Sequence, residues 1–208
     1  MFLFLQEPLY QGGMEKNNLN LDKIYNSIWD DLNKGSTNRK HPYHLCFLST
    51  VSLDKFSAES RIVILREVSL DNLSIRCNCD LRSKKAEEIR KNSDTSLLFY
   101  DVENKIQVRI KAKSEIINSK EVTKPIWDKS QEISRRCYYS PTPSSILNEP
   151  FSNDMLDLNS DKLGINVFGL ILSKVLEIDY LKLNYEGHTR CHFIIDENKV
   201  VTSNWVTP

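Results

Sequence analysis

The 208-residue chain is 40% hydrophobic and 27% charged, which excludes a disordered chain, and its length suits one sizeable domain. No apolar run approaches the roughly 20 residues that a membrane helix needs. Its 28 basic and 28 acidic residues cancel, so no overall field draws the protein to nucleic acid or to an acidic membrane, and any anion site must come from a local cluster of cations.

Residues 1–13, MFLFLQEPLYQGG, hold one charge, Glu7, and lack the basic start of a signal peptide. They read as an N-terminal extension, with the domain over 14–208 and Met14 a candidate start; a surface-packed segment is the alternative. Residues 20–33 place Leu21, Ile24, Ile28 and Leu32 at helical spacing, with Tyr25 and Trp29 beside them, which predicts an amphipathic helix. GSTNRKHP ends it. The period then falls to two. Strands are predicted at 44–51, 61–66 and 73–77, with a turn region at 52–60. A helix follows at 80–91, then strands at 96–100 and 105–117. In the last of these Ile106, Val108, Ile110 and Ala112 alternate with Gln107, Arg109, Lys111 and Lys113. Residues 119–136 read as helical after Pro125, and the proline- and serine-rich stretch 140–162 as a loop. Three more strands follow at 168–171, 191–195 and 200–205. Six or more alternating strands with two or three helices predict one mainly β domain, a barrel or a sandwich.

Five cysteines, Cys46, Cys77, Cys79, Cys137 and Cys191, are odd in number and widely spaced, a poor disulfide framework. Cys77-Asn78-Cys79 is C-x-C rather than C-x-x-C. Reduced thiols in a cytoplasmic protein are the expectation.

The most informative segment is NCDLRSKK, residues 78–85. With Asp80 as helix N-cap, Arg82, Ser83, Lys84 and Lys85 fall in the first turns. Cations are unfavourable at a helix N-terminus unless an anion sits there, and free N–H groups, a hydroxyl and lysines together make a phosphate cradle. The alternative is a solvated face with Lys84 paired to Glu88. Arg61 and Arg66 bracket an apolar strand, where a basic residue meets either a carboxylate or a ligand. Gln107 and Arg109 share a strand face; an amide there suits a flavin or pteridine edge, or simply solvent. His188, Arg190 and His192 share a face by period two and suit an anionic substrate. A metal is disfavoured, because two histidines are too few and the arginine repels a cation. There is no Walker loop, no G-x-G-x-x-G, no H-E-x-x-H and no G-x-S-x-G.

Taken in order, the R-x-V-x-L-R strand at 61–66, the x-D-x-R-S-x-K run at 79–85 and the Q-V-R strand at 107–109 resemble the pyridoxamine 5'-phosphate oxidase family. HTRCHF, Trp205 and Pro208 are similar to that family's H-x-R-x-R-F and W-x-x-P ending. The R-S-x-K form, with W-x-x-S-x-x-x-S-R over 127–135, is closest to the oxidase-like branch. The resemblance spans about 20–208. It implies a six-stranded antiparallel split β-barrel with flanking helices, a homodimer, FMN at the dimer interface, and oxidoreductase chemistry on a small molecule. By position it implies that Arg61 and the backbone of Ile62, Val63 and Ile64 line the flavin, and that Arg66 approaches flavin and substrate. Asn78 and Cys79 meet the ring or ribityl chain, Ser83, Lys84 and Lys85 hold the phosphate, and Gln107 contacts the ring edge. His192 stands where an arginine usually helps hold the flavin, and His188 and Arg190 occupy substrate-facing positions. Cys79 replaces a usual threonine. The substrate-phosphate stretch R-P-R-G-S has no match, so FMN chemistry is implied without pyridoxamine phosphate as substrate. A non-catalytic dimeric module holding a flavin or another cofactor is the alternative.

Overall fold

The structure, a computed structural model, describes residues 20–140, 143–152, 156 and 161–208. The extension expected at 1–13, together with Met14, lies outside the described residues. Asn20 caps the first helix, α1 (Leu21–Thr37), its side-chain oxygen accepting from the Asp22 N–H at 2.7 Å. One stripe of α1, Ile24, Ile28, Trp29 and Leu32, is buried as the spacing predicts.

Five strands and the second helix follow: β1 (Leu45–Ser52), β2 (Ser57–Ser69), β3 (Ser74–Asp80), α2 (Lys84–Lys91), β4 (Asp94–Asp101) and β5 (Ile106–Ile117). Then come α3 (Lys120–Lys129), α4 (Glu132–Arg135), α5 (Asp161–Val167), β6 (Phe168–Lys182), β7 (Thr189–Ile195) and β8 (Val201–Trp205). The strands run in the order β3-β2-β1-β4-β5-β6-β7-β8, and an additional β3–β6 pairing closes the first six into an antiparallel barrel. β6 makes the closure possible by its length. Its first half pairs with β3, from Phe168 opposite Asp80 to Lys174 opposite Ser74. Its second half pairs with β7, from Glu177 opposite Ile194 to Lys182 opposite Thr189. The barrel is filled by alternate inward residues, among them Leu48, Leu65, Ile75, Phe99, Ile110 and Ile178.

The strands outrun the apolar pattern that predicts them. β2 starts at Ser57 because its ladder with β1 continues to Ser52 opposite Ser57, a rim where polar residues still pair their backbone. The turn shrinks to four residues. The helix expected over 119–136 is two, α3 and α4, with Ser130 ending the first, and Pro125 lies inside α3. A satellite core of Trp127, Tyr139, Leu156, Phe168 and Leu170 fixes α3 to the start of β6. Gly164 of α5 completes it: a Cβ there would stand 2.7 Å from the Tyr139 ring and 2.8 Å from Trp127.

Candidate functional site

β2 and β3 turn one face inward and the other out. Val63, Leu65, Ile75, Cys77 and Cys79 are buried in the barrel, whereas Ile62, Ile64, Arg66, Arg76 and Asn78 line an outer cleft of about 650 Å³. That volume is typical of small-molecule and cofactor sites. A β-bulge shapes it. The register steps from Leu65 opposite Cys77 to Glu67 opposite Arg76, so Arg66 is the inserted residue. Bulges re-aim side chains beside functional sites. Here the bulge carries Arg66 into the cleft wall, where its Nε is buried and has no hydrogen-bond partner among the described residues.

Lys85 of α2 lines the same cleft, and Arg39, Lys129, Gln131, Arg135 and Tyr138 form the opposite side. Arg135 lies over the Trp127 ring at 5.5 Å, a cation–π contact that holds the guanidinium on an aromatic floor. Among the described residues that line the cleft, Glu67 is the only carboxylate, and it is taken by Arg76 at 2.8 and 3.1 Å. Among the described residues, Arg39, Arg66, Lys85 and Lys129 therefore leave a positive excess in the cleft lining. A buried donor without an acceptor costs free energy unless a ligand supplies one. The cleft thus suits a ligand with an anionic group and an aromatic or apolar body, and the phosphate and ring of FMN meet both requirements.

The structure places the other sequence-predicted residues as follows. Arg61 faces the barrel side. It donates to the Thr50 hydroxyl and pairs with Glu88 of α2 at 3.0 Å, and Thr50 donates to Glu88 at 2.6 Å. Glu88, which the alternative solvated-face reading pairs with Lys84, instead pairs with Arg61 and so ties α2 to the barrel. Asp80 is not the helix cap. It ends β3, and its carboxylate accepts from the Arg82 N–H at 2.8 Å and pairs with the Arg82 side chain at 2.7 Å. Ser83 is the N-cap residue, its hydroxyl donating to the Asp80 carbonyl at 2.6 Å, so Lys84 and Lys85 open α2. Lys84 is exposed and outside the cleft lining. The Cys79 side chain is buried on the barrel side, where burial pushes its thiol up to about 12, and Cys79 does not line the cleft.

Gln107 is half-buried on β5, opposite Tyr100 and Leu181, and lines no described cleft. Arg190 and His192 line a second cleft of about 500 Å³ on the β5-β6-β7 face, with Arg109, Lys111, Glu177 and Asp179. Asp179 there accepts from Arg190 at 2.7 Å and from Arg109 at 2.5 Å, while Glu177 meets Lys111 at 2.8 Å and His192 at 3.3 Å. Burial alone would raise the Asp179 carboxyl; the two arginines outweigh it and hold it below the ordinary range. His188 does not share that face. β7 begins at Thr189, and His188 sits exposed in the preceding turn, accepting from the Asn184 N–H at 3.2 Å.

Sequence reasoning missed Arg76, which stands two residues from Asn78 and so shares its face. It also missed Arg39 and the α3–α4 wall, which no local pattern links to β2.

Residues 26–118 match the family model described as pyridoxamine 5'-phosphate oxidase, FMN-binding domain. The matched segment is similar to that family's FMN-binding domain. It holds β2, β3 and α2, hence one whole wall of the cationic cleft; α3 and α4 lie beyond it. A relative from Arabidopsis thaliana, pyridoxine/pyridoxamine 5'-phosphate oxidase 2, is 27% identical over 143 residues, covering 65% of this chain and 72% of its own. Among solved structures, a pyridoxamine 5'-phosphate oxidase-related, FMN-binding protein of Nostoc punctiforme superposes with a TM-score of 0.70 at 21% identity, over 88% of this chain and 96% of its own. PhzG of Burkholderia lata, solved with tetrahydrophenazine-1-carboxylic acid, gives 0.66 at 14% identity, over 90% and 91%. At these identities the two structures establish the shared split-barrel fold.

Proposed function

We propose that the protein is a homodimeric FMN-dependent oxidoreductase acting on a small anionic molecule. The observation that carries this is the positive excess of the β2–β3 cleft, with a buried Arg66 Nε that has no partner among the described residues. FMN supplies the hydride chemistry; the chain binds, orients and screens it from water. Lys85 would hold the phosphate at the start of α2, with Ser83 and Lys84 beside it but outside the cleft lining, and the backbone of Ile62, Val63 and Ile64 with Asn78 would face the ring. Arg66, with Lys129 across the cleft, would remain for the anionic group of a substrate. The Arabidopsis relative is named for substrates that carry a phosphate, which agrees with that charge. No side chain is assigned as acid or base.

A second copy is the partner that the surface suits. Leu45, Phe47, Ile62, Ile64 and Leu98 form an outward apolar stripe across β2, β1 and β4, with Phe47 opposite both Ile62 and Leu98. Ile62 is 54% exposed, Leu45 46% and Phe47 42%. Such a patch on a folded chain marks an interface. The stripe runs from the first cleft, at Ile62 and Ile64, towards the second, at Ser96 and Arg109. A two-fold contact along it would bring each cationic cleft up to the partner's second cleft. Gln107, Arg190 and His192 would then serve FMN and substrate from across the interface. The unpaired cysteines fit a reducing compartment.

The test is the absorption spectrum of the purified protein, mass identification of any released cofactor, FMN calorimetry, and reduction and reoxidation with anionic donors. Expected are a flavin spectrum, FMN binding and turnover. A folded sample that binds no FMN sinks the proposal. FMN binding without turnover on any donor would favour the flavin-holding module, the reading that the unmatched R-P-R-G-S stretch supports. A stable monomer retaining FMN in sedimentation would overturn the dimer.

A further inference from the structure

We infer that Glu67 and Arg76 are positioning residues that lock the Asn78 amide, so that Asn78 meets a cleft ligand as a hydrogen-bond donor. The bulge at Arg66 sets Glu67 directly opposite Arg76 on the neighbouring strand. Glu67 then takes Arg76 through both Nε and Nη2, at 3.1 and 2.8 Å. Two contacts to a planar guanidinium fix its orientation as well as its place. The remaining arm, Nη1, donates to Oδ1 of Asn78 at 3.0 Å. Arginine only donates, so the amide atom facing it must be the oxygen, and the amide cannot turn over without losing this bond. The Arg76 side chain is only 14% exposed, which limits its alternatives.

Nδ2 of Asn78 has no partner among the described residues and is what the residue offers the cleft. The complementary ligand atom is an acceptor, a ring carbonyl oxygen or ring nitrogen. The pair has a second effect. Glu67 neutralises Arg76, so the anion-binding charge of the cleft stays with Arg66 and Lys85 and is not drawn along the β3 wall.

This assignment rests on the FMN reading only for the identity of the ligand, and the experiment separates the two. In flavin-free protein, the side-chain amide resonances of Asn78, identified by their loss in Asn78→Ala, shift in both Arg76→Met and Glu67→Gln. In FMN titrations of the full chain, Arg76→Met and Asn78→Ala each weaken binding by about five- to tenfold, the worth of one hydrogen bond. Combined, they weaken it no further than the stronger single change, and the bound-flavin spectrum moves alike in both. Arg76→Lys, which keeps the charge but not the fork, does not restore the native spectrum. Unmoved Asn78 resonances, additive losses, or an Arg76→Met protein with native affinity and spectrum would each overturn the relay. Should Arg76→Met fail to fold, Glu67→Gln decides through the same resonances and titration. A native protein that takes up no FMN sinks the proposed function, while the amide resonances still test the lock.

Discussion

Two outward faces of one barrel carry the same kinds of side chain and reach opposite electrostatic states. On β5, β6 and β7, Arg109, Lys111, Arg190 and His192 each meet Asp179 or Glu177. In the cleft of β2 and β3, among the described residues, cations gather around a single carboxylate already held by Arg76, and Arg66 keeps a buried Nε without an acceptor. Residue type therefore says little about ligand binding here. What decides is whether the register supplies each cation with a carboxylate. The same contrast recurs within one strand, where Arg61 faces Glu88 and Arg66 faces the cleft.

Breaking that contrast at Arg61 should have the largest effect. Arg61→Met strands the Glu88 carboxylate, whose side chain is only 11% exposed. It should cost about 3 kcal/mol in urea unfolding, the low end for breaking a buried pair. Arg66→Met should cost little stability, because it removes an unsatisfied donor, while weakening anionic ligands. Equal stability losses at the two arginines would dissolve the distinction.

Lys85 comes next. Lys85→Ala should weaken FMN about tenfold to a hundredfold, as expected for loss of a charge-assisted phosphate contact. Lys84→Ala should do less, since Lys84 lies outside the cleft lining. Riboflavin, lacking the phosphate, should respond little to either change. Equal FMN affinities in native and Lys84→Ala/Lys85→Ala protein would remove the phosphate cradle.

The smallest effect sharpens the paired face. Asp179 is held below its ordinary range in the folded protein, despite burial, by hydrogen bonds from Arg190 and Arg109. The unfolded chain binds the proton more readily. The stabilisation is thus complete above the unfolded value of about 4 and is lost as pH falls through the lower folded one. Asp179→Asn should cost on the order of 1 kcal/mol at neutral pH, as for a partly exposed ion-pair network. That difference should close in acid unfolding curves below roughly pH 4. A gap constant with pH would mean that the carboxylate charge does not matter there.

Much of the fold was legible because strand alternation survives even where neighbours are unknown. The inward set Val108, Ile110 and Ala112 of β5 is the one that the spacing isolates. The β2-to-α2 segment was legible as an ordered set of motifs. The bulge was not, because an inserted residue is visible only against a partner strand; Glu67 reads as a solvent residue until Arg76 stands opposite it. The helix start was misplaced for a related reason. Asp80 and Ser83 are both good caps, and the ladder of β3 with β6 extends through Asp80 and so leaves the cap to Ser83. Nor can composition reveal that α3 and α4 return to face β2, since the Trp127 cluster that holds them forms only with Phe168 and Gly164.

β6 has a further consequence for how the molecule opens. Its first half is hydrogen-bonded on both edges, to β3 and β5, and its second half on both edges, to β5 and β7. The outermost strand, β8, is five residues long and largely exposed. Loss of β8 and then β7 would free one edge of the second half of β6 and leave the closed barrel untouched. Amide exchange should therefore be graded along a single strand, fastest towards Lys182 and slowest near Leu170, as in chains whose local openings are far easier than global unfolding.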